Sequence, residues 1–153
     1  RYVEIFDDRY NKGGGLTLLG GTGTGKTHLA CAIINSLALS SYSVLYTEVY
    51  EALDYIKEVS RFERSMSERK AIEKYESVDL LILDELGVQQ NDDWGKLTVF
   101  KIINNRYKAN KPTILVSNLD KEAFAIHVGG RVIDRLKENG GMTLTLSWES
   151  YRK

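Results

Sequence analysis

Gly20-Gly21-Thr22-Gly23-Thr24-Gly25-Lys26-Thr27 follows the short apolar run Leu16-Thr17-Leu18-Leu19 and precedes a segment of helical period. The octet fits G-x-x-x-x-G-K-[ST], and a strand before it and a helix after it are the context this pattern requires. The spacing has a physical cause. Glycines at 20, 21, 23 and 25 let the backbone curl until successive N–H groups face one anion, and the start of the next helix adds its partial positive charge. Lys26 is placed to reach the β- and γ-phosphates of a nucleotide as a point charge, and Thr27 to hold a bridging Mg²⁺ through its hydroxyl. The candidate nucleotide-binding residues are therefore Gly20, Gly21, Thr22, Gly23, Thr24, Gly25, Lys26 and Thr27, followed by His28, and the implied cofactors are ATP and Mg²⁺.

Working outward, short runs rich in branched apolar residues alternate with longer helical segments, which predicts an α/β domain with a mainly parallel sheet. Five strands are expected, at 16–19, 44–47, 80–83, 113–117 and 142–146. Helices are expected over 27–38, with Leu29, Ile33, Ile34 and Leu37 on the inner face, and over 94–108, with Leu97, Phe100, Ile102, Ile103 and Tyr107 inward. A third should run over 131–139 and stop where Gly140-Gly141 can turn left-handed. The single proline, Pro112, stands just before a strand, where a missing donor does little harm.

The third strand ends in two carboxylates, Leu80-Leu81-Ile82-Leu83-Asp84-Glu85. In isolation this could be a solvated strand end. Beside a phosphate loop, Asp84 reads as the carboxylate that holds Mg²⁺ with Thr27, and Glu85 as the group that orients an attacking water. A hydrolase needs that second carboxylate, whereas a small-molecule kinase, the competing class, does not. Asn118 follows the next strand, at the sheet edge where ligands of parallel sheets bind, and is a candidate for sensing the γ-phosphate. Its alternative is a turn residue.

With 153 residues the chain suits one domain. No apolar run approaches the ~20 residues of a membrane span, no secretory signal is legible, and the lone Cys31 cannot form an internal disulfide. These features place the chain in the cytoplasm. Lys plus Arg equals Asp plus Glu, at 21 each, so any contact with DNA must be local. His28 and His127 have no carboxylate or cysteine cluster in sequence and are not read as metal ligands.

The order G-G-T-G-T-G-K-T-H-L-A, V-D-L-L-I-L-D-E-L-G-V-Q, K-P-T-I-L-V-S-N, G-R-V-I-D-R-L and W-E-S-Y-R resembles the AAA+ domain of DnaC-type helicase loaders over nearly the whole chain. The T-H-L-A and D-E-L-G segments are shared with DnaI loaders and with IstB transposition ATPases. The resemblance implies a P-loop NTPase of the AAA+ type, a three-layer sandwich around a five-stranded sheet; in a departure from larger AAA+ proteins, only a few residues of this sequence follow the last expected strand, so no helical lid domain is expected. It also implies slow ATP hydrolysis, self-association with ATP, and delivery of a hexameric replicative helicase onto single-stranded DNA. The helicase contact would belong to a separate N-terminal domain, with residues 1–153 as the ATPase domain. By the same resemblance Asn118 is the first sensor, Arg131 with Arg135 supplies an arginine finger to a neighbouring subunit, Arg135 being the first choice, and Arg152 is a candidate second sensor. A nucleotide-gated adaptor that hydrolyses ATP slowly is a third class.

The interval 48–79 has room for two helices and mixes Tyr50, Tyr55, Phe62 and Tyr75 with Lys57, Arg61, Arg64, Arg69 and Lys70. Aromatics beside cations suit sequence-tolerant single-strand binding, and Arg61, Phe62 and Arg64 are the candidate DNA contacts. Glu58, Glu63 and Glu68 interrupt the same stretch, so a solvated helix pair is the alternative.

Overall fold

The strands β1 (Leu16–Gly20), β2 (Val44–Glu48), β3 (Leu80–Asp84), β4 (Thr113–Ser117) and β5 (Met142–Leu146) form one sheet in the order β2-β3-β4-β1-β5, and every pairing is parallel. This is a computed structural model, and it describes residues 2–62, 67–87 and 92–151. Parallel neighbours cannot be joined by tight turns, so helices carry the crossovers. The described helices are α1 (Phe6–Lys12), α2 (Lys26–Leu37), α3 (Val49–Phe62), α4 (Glu68–Ser77), α5 (Asp93–Lys108), α6 (Lys121–Val128) and α7 (Gly130–Lys137). None of them is long and apolar enough to cross a membrane.

Strand residues alternate between two cores. Leu16, Leu18, Leu80, Ile82, Ile114 and Val116 pack against Phe6 of α1 and against Ala30, Ile33 and Leu37 of α2. On the other face Leu19, Leu81, Leu83 and Leu115 meet Val49, Leu53 and Ile56 of α3, Tyr75 of α4, Ile102 of α5, Phe124 of α6 and Val132 of α7. Both faces being covered, the inner strands are apolar at almost every position. Each such side chain contributes roughly 1.5–3 kcal/mol on burial.

All five expected strands form, and the interval 48–79 holds two helices. Four details differ from the sequence reading. Leu29 is 40% exposed and Ala30 takes its place, because the stripe of α2 that meets the sheet runs through Ala30, Ile33 and Leu37. Leu97 is likewise exposed, and Thr98, Val99 and Arg106 join Ile102 and Ile103 as the buried face of α5. The helix expected over 131–139 is Gly130–Lys137, and a 3-10 turn follows in which Asn139 and Gly140, not Gly141, turn left-handed. Helices α1 and α6 went unread. Asp120 announces α6 by accepting from Ala123 N at 2.8 Å.

Arg106 is fully buried. Its Nε donates to Thr113 Oγ1 at 2.9 Å, Nη1 to the carbonyls of Tyr75 and Val78 at 3.0 and 2.8 Å, and Nη2 to those of Asp79 and Pro112 at 3.1 and 2.6 Å. One guanidinium thus satisfies the carbonyls left over where α4 ends and ties that end to the start of β4. Burial lowers its pKa to about 10, offset by Asp79 and Glu76, so it stays charged at neutral pH.

Candidate nucleotide site

β1 delivers its C-terminal end directly into the glycine loop, and α2 begins at Lys26 with Gly25 as its N-cap at φ 93°. A side chain at Gly25 would strain that left-handed geometry. Gly20 is excluded from substitution for a second reason: a Cβ there would lie 2.3 Å from the Leu146 carbonyl oxygen of β5. The Thr24 hydroxyl folds inward to the Gly21 carbonyl at 2.9 Å, closing the loop on itself. Lys26, buried, places Nζ 2.8 and 2.7 Å from the carbonyls of Gly20 and Gly21, so its charge sits on the rim that a phosphate would occupy.

The Thr27 hydroxyl donates to Asp84 Oδ2 at 2.8 Å, joining the loop to the end of β3. The Tyr46 hydroxyl donates to the same oxygen at 2.9 Å, and Glu85 N to Asp84 Oδ1 at 2.7 Å. Asp84 is buried and held from three directions. Burial, with the bond to Asp84, pushes the Tyr46 phenol above its ordinary range, which keeps it a donor. Burial also raises Glu48, helped by Glu51, Glu85 and Asp84 nearby, so the field at this edge is negative. A hydroxyl and a buried carboxylate converging at 2.8 Å are a donor set that fits Mg²⁺, an oxygen-seeking cation that keeps most of its water.

Glu85 sits at φ 58°, a conformation side chains other than glycine rarely adopt and one that recurs at functional sites. That twist turns its carboxylate toward β4, where Asn118 Nδ2 donates to Oε2 at 2.9 Å. Ser117 points elsewhere, donating to the Leu86 carbonyl at 2.6 Å and pinning the turn after β3. A cavity of about 190 Å³ is lined by Thr22, Gly23, Gly25, Lys26, Thr27, His28, Glu85 and Asn118. Most of the residues singled out in sequence therefore meet at one place, with Asp84 reached through Thr27. Tyr46 was missed, since nothing in sequence distinguishes it from an ordinary strand tyrosine.

Arg131 and Arg135 are not among the residues that line this cavity. Arg131 is exposed in the first turn of α7. Arg135 lies against the rings of Phe100 and Tyr107, at 5.5 and 5.4 Å, and among the described residues its Nη1 finds no hydrogen-bond acceptor. Arg152 lies outside the described residues. So do Arg64 and the side chain of Phe62, while Arg61 is exposed on the last turn of α3. Tyr75 is unavailable for stacking on a base, being 2% exposed. Tyr55 packs edge-on against it, under the Lys74 ammonium, and Arg69 pairs with Glu73 and Glu76. Burial and Lys96 lower the pKa of His127, which lines an apolar groove of α5 to α7, and no cluster of three or more His, Cys, Asp or Glu suited to a metal occurs among the described residues.

A family model described as IstB-like ATP binding protein matches residues 8–153. The chain belongs to the IstB-like ATP-binding family. The replicative helicase loader DnaC of Buchnera aphidicola subsp. Baizongia pistaciae is 37% identical to this chain over 134 residues, covering 88% of this chain and 54% of that protein. A crystal structure of the DnaC helicase loader superposes with a TM-score of 0.77 at 25% identity, over 97% of this chain and 84% of that one. The replication initiator DnaA bound to AMPPCP and single-stranded DNA gives 0.78 at 25% identity, over 95% and 44%. The fold is that of AAA+ P-loop domains, and the chain spans between half and two thirds of the length of the curated relatives it matches.

Proposed function

We propose that this chain is the ATP-hydrolysing AAA+ domain of a replicative-helicase loader, assembling with ATP and touching single-stranded DNA. The observation that carries the reading is the connected chain Thr27–Asp84–Glu85–Asn118 at the mouth of the phosphate loop. Lys26 and the loop N–H groups hold the β- and γ-phosphates. Thr27 and Asp84 would hold Mg²⁺, which when bound would supply charge neutralisation on those phosphates. Glu85 accepts a hydrogen bond from the attacking water and so orients it, while Asn118 fixes that carboxylate and reports on the γ-phosphate. Turnover is slow in the isolated chain because the charge spreading over the transferred phosphoryl group needs a cation from a neighbouring subunit. Arg131, exposed, suits that part better than Arg135, whose guanidinium is engaged by two rings.

Lys26→Ala should abolish MgATP binding, whereas Glu85→Gln should bind normally and lose phosphate release. Hydrolysis by Glu85→Gln at the parent rate would remove Glu85 from the mechanism. ADP release that depends on an added acceptor would favour the kinase class. The match to the IstB-like family supports a second reading, a transposition helper ATPase. Capture of a replicative helicase by the full-length protein, and not of a transposase, separates the two.

A further inference from the structure

After β5 the chain turns back across the outside of the glycine loop. Trp148 Nε1 donates to the Thr24 carbonyl at 3.0 Å, and Tyr151 N donates to the Gly23 carbonyl at 3.1 Å. The approach begins within the sheet, where Gly20 pairs with Leu146. These two bonds take hold of consecutive peptide groups. A trans peptide is planar with its C=O and N–H pointing in opposite directions. Holding the Gly23 and Thr24 carbonyls toward the C-terminal segment therefore sends the N–H groups of Thr24 and Gly25 the other way. Gly23 and Gly25 line the cavity assigned above to the phosphates. A loop this rich in glycine would otherwise sample many backbone conformations and lose that freedom on binding an anion.

We propose that residues 147–151 form a strap that pre-organises the phosphate loop, with Trp148 as a positioning residue for the nucleotide's phosphates. The inference rests on the ATP-binding reading. The indole is half exposed, so it acts through its N–H and the loop carbonyl, and the strap belongs to the nucleotide site although none of its residues lines the cavity itself. Its effect is on binding: a loop held in shape meets ground state and transition state equally, so KM changes and kcat does not.

The test compares the parent chain with Trp148→Phe, which keeps a ring and loses the donor, with Tyr151→Pro, which removes the backbone donor, and with the double variant. Dissociation constants are measured for MgATP and MgADP, with inhibition by inorganic pyrophosphate, alongside KM, kcat and the melting temperature. Each single variant should bind all three ligands about fivefold more weakly, the weight of one ordinary hydrogen bond. The double variant should be weaker still, with kcat and melting temperature close to the parent's. Parent-level affinity in both single variants overturns the strap, and so does weakened ATP with unchanged pyrophosphate, which would put Trp148 on the base instead. Failure of the parent chain itself to bind any of the three ligands overturns the nucleotide reading, a result visible without any variant.

Discussion

Replacing Arg106 by leucine tests how the ends of β3 and β4 are held in position. The guanidinium makes five bonds of 3.1 Å or shorter to Thr113 Oγ1 and to the carbonyls of Tyr75, Val78, Asp79 and Pro112, with no exposed surface. Leucine fills part of the volume and answers none of those acceptors. A buried acceptor left without a partner costs about 1–3 kcal/mol. The losses do not add fully, because the four carbonyls near Asp79 can relax together and water can enter from the part-exposed end of α4. Removing one partner from a buried charged network costs roughly 3–5 kcal/mol, and that is the expected loss here. Against a total stability of about 5–15 kcal/mol for a domain, such a loss leaves a marginal fold. Arg106→Lys keeps the charge and three donors but loses the planar fork, and should lose less than leucine yet more than about 1 kcal/mol. The assay is denaturant unfolding followed by far-ultraviolet circular dichroism, with slopes compared to confirm two-state behaviour. A loss below about 1 kcal/mol for the leucine variant would show that these carbonyls do not depend on the guanidinium.

Tyr46→Phe removes one of the donors on Asp84 Oδ2, and should weaken Mg²⁺-dependent ATP binding several-fold while leaving binding of Mg²⁺-free ADP unchanged; titration of nucleotide with and without Mg²⁺ reads this directly. Asp79 is raised by burial, but bonds from Ser43 N and Oγ and from Tyr10 outweigh this and set its pKa below the ordinary 3.8. A depressed folded-state pKa stabilises above the unfolded value and is lost as pH falls through the folded one. Asp79→Asn should therefore be less stable than the parent at neutral pH, and the gap in denaturation midpoint should close in acid below the ordinary value; a gap independent of pH would refute the assignment. Arg131→Ala should bind nucleotide normally and lose assembly-dependent hydrolysis, with partial recovery on mixing with Lys26→Ala subunits, whereas Arg135→Ala should lower the melting temperature by releasing Phe100 and Tyr107. Recovery with Arg135→Ala and none with Arg131→Ala would reverse the two roles.

The phosphate loop, the strand before it and the carboxylates at the end of β3 were legible in sequence because their geometry is local. Glycine at fixed offsets, a lysine and threonine at the start of a helix, and an apolar run ending in Asp84-Glu85 carry their meaning within a few residues. The inner strands were equally legible, since a strand covered on both faces is apolar at almost every position. Helix faces were less so. Leu29 and Ala30 differ by one step of 100° around α2, and only the angle at which that helix meets the sheet chose Ala30 for the core. What no local pattern could contain are the contacts between distant segments. Tyr46 meets Asp84 because β2 pairs with β3, Arg106 reaches the end of α4 because α5 packs against that helix, and Trp148 reaches Thr24 from 124 residues away because β5 lies beside β1. In sequence these are an ordinary tyrosine, a helical arginine and a terminal tryptophan. The parallel order of the sheet made each of them a neighbour of the site or of the strands that build it, since that order brings the C-terminal ends of the strands to one edge.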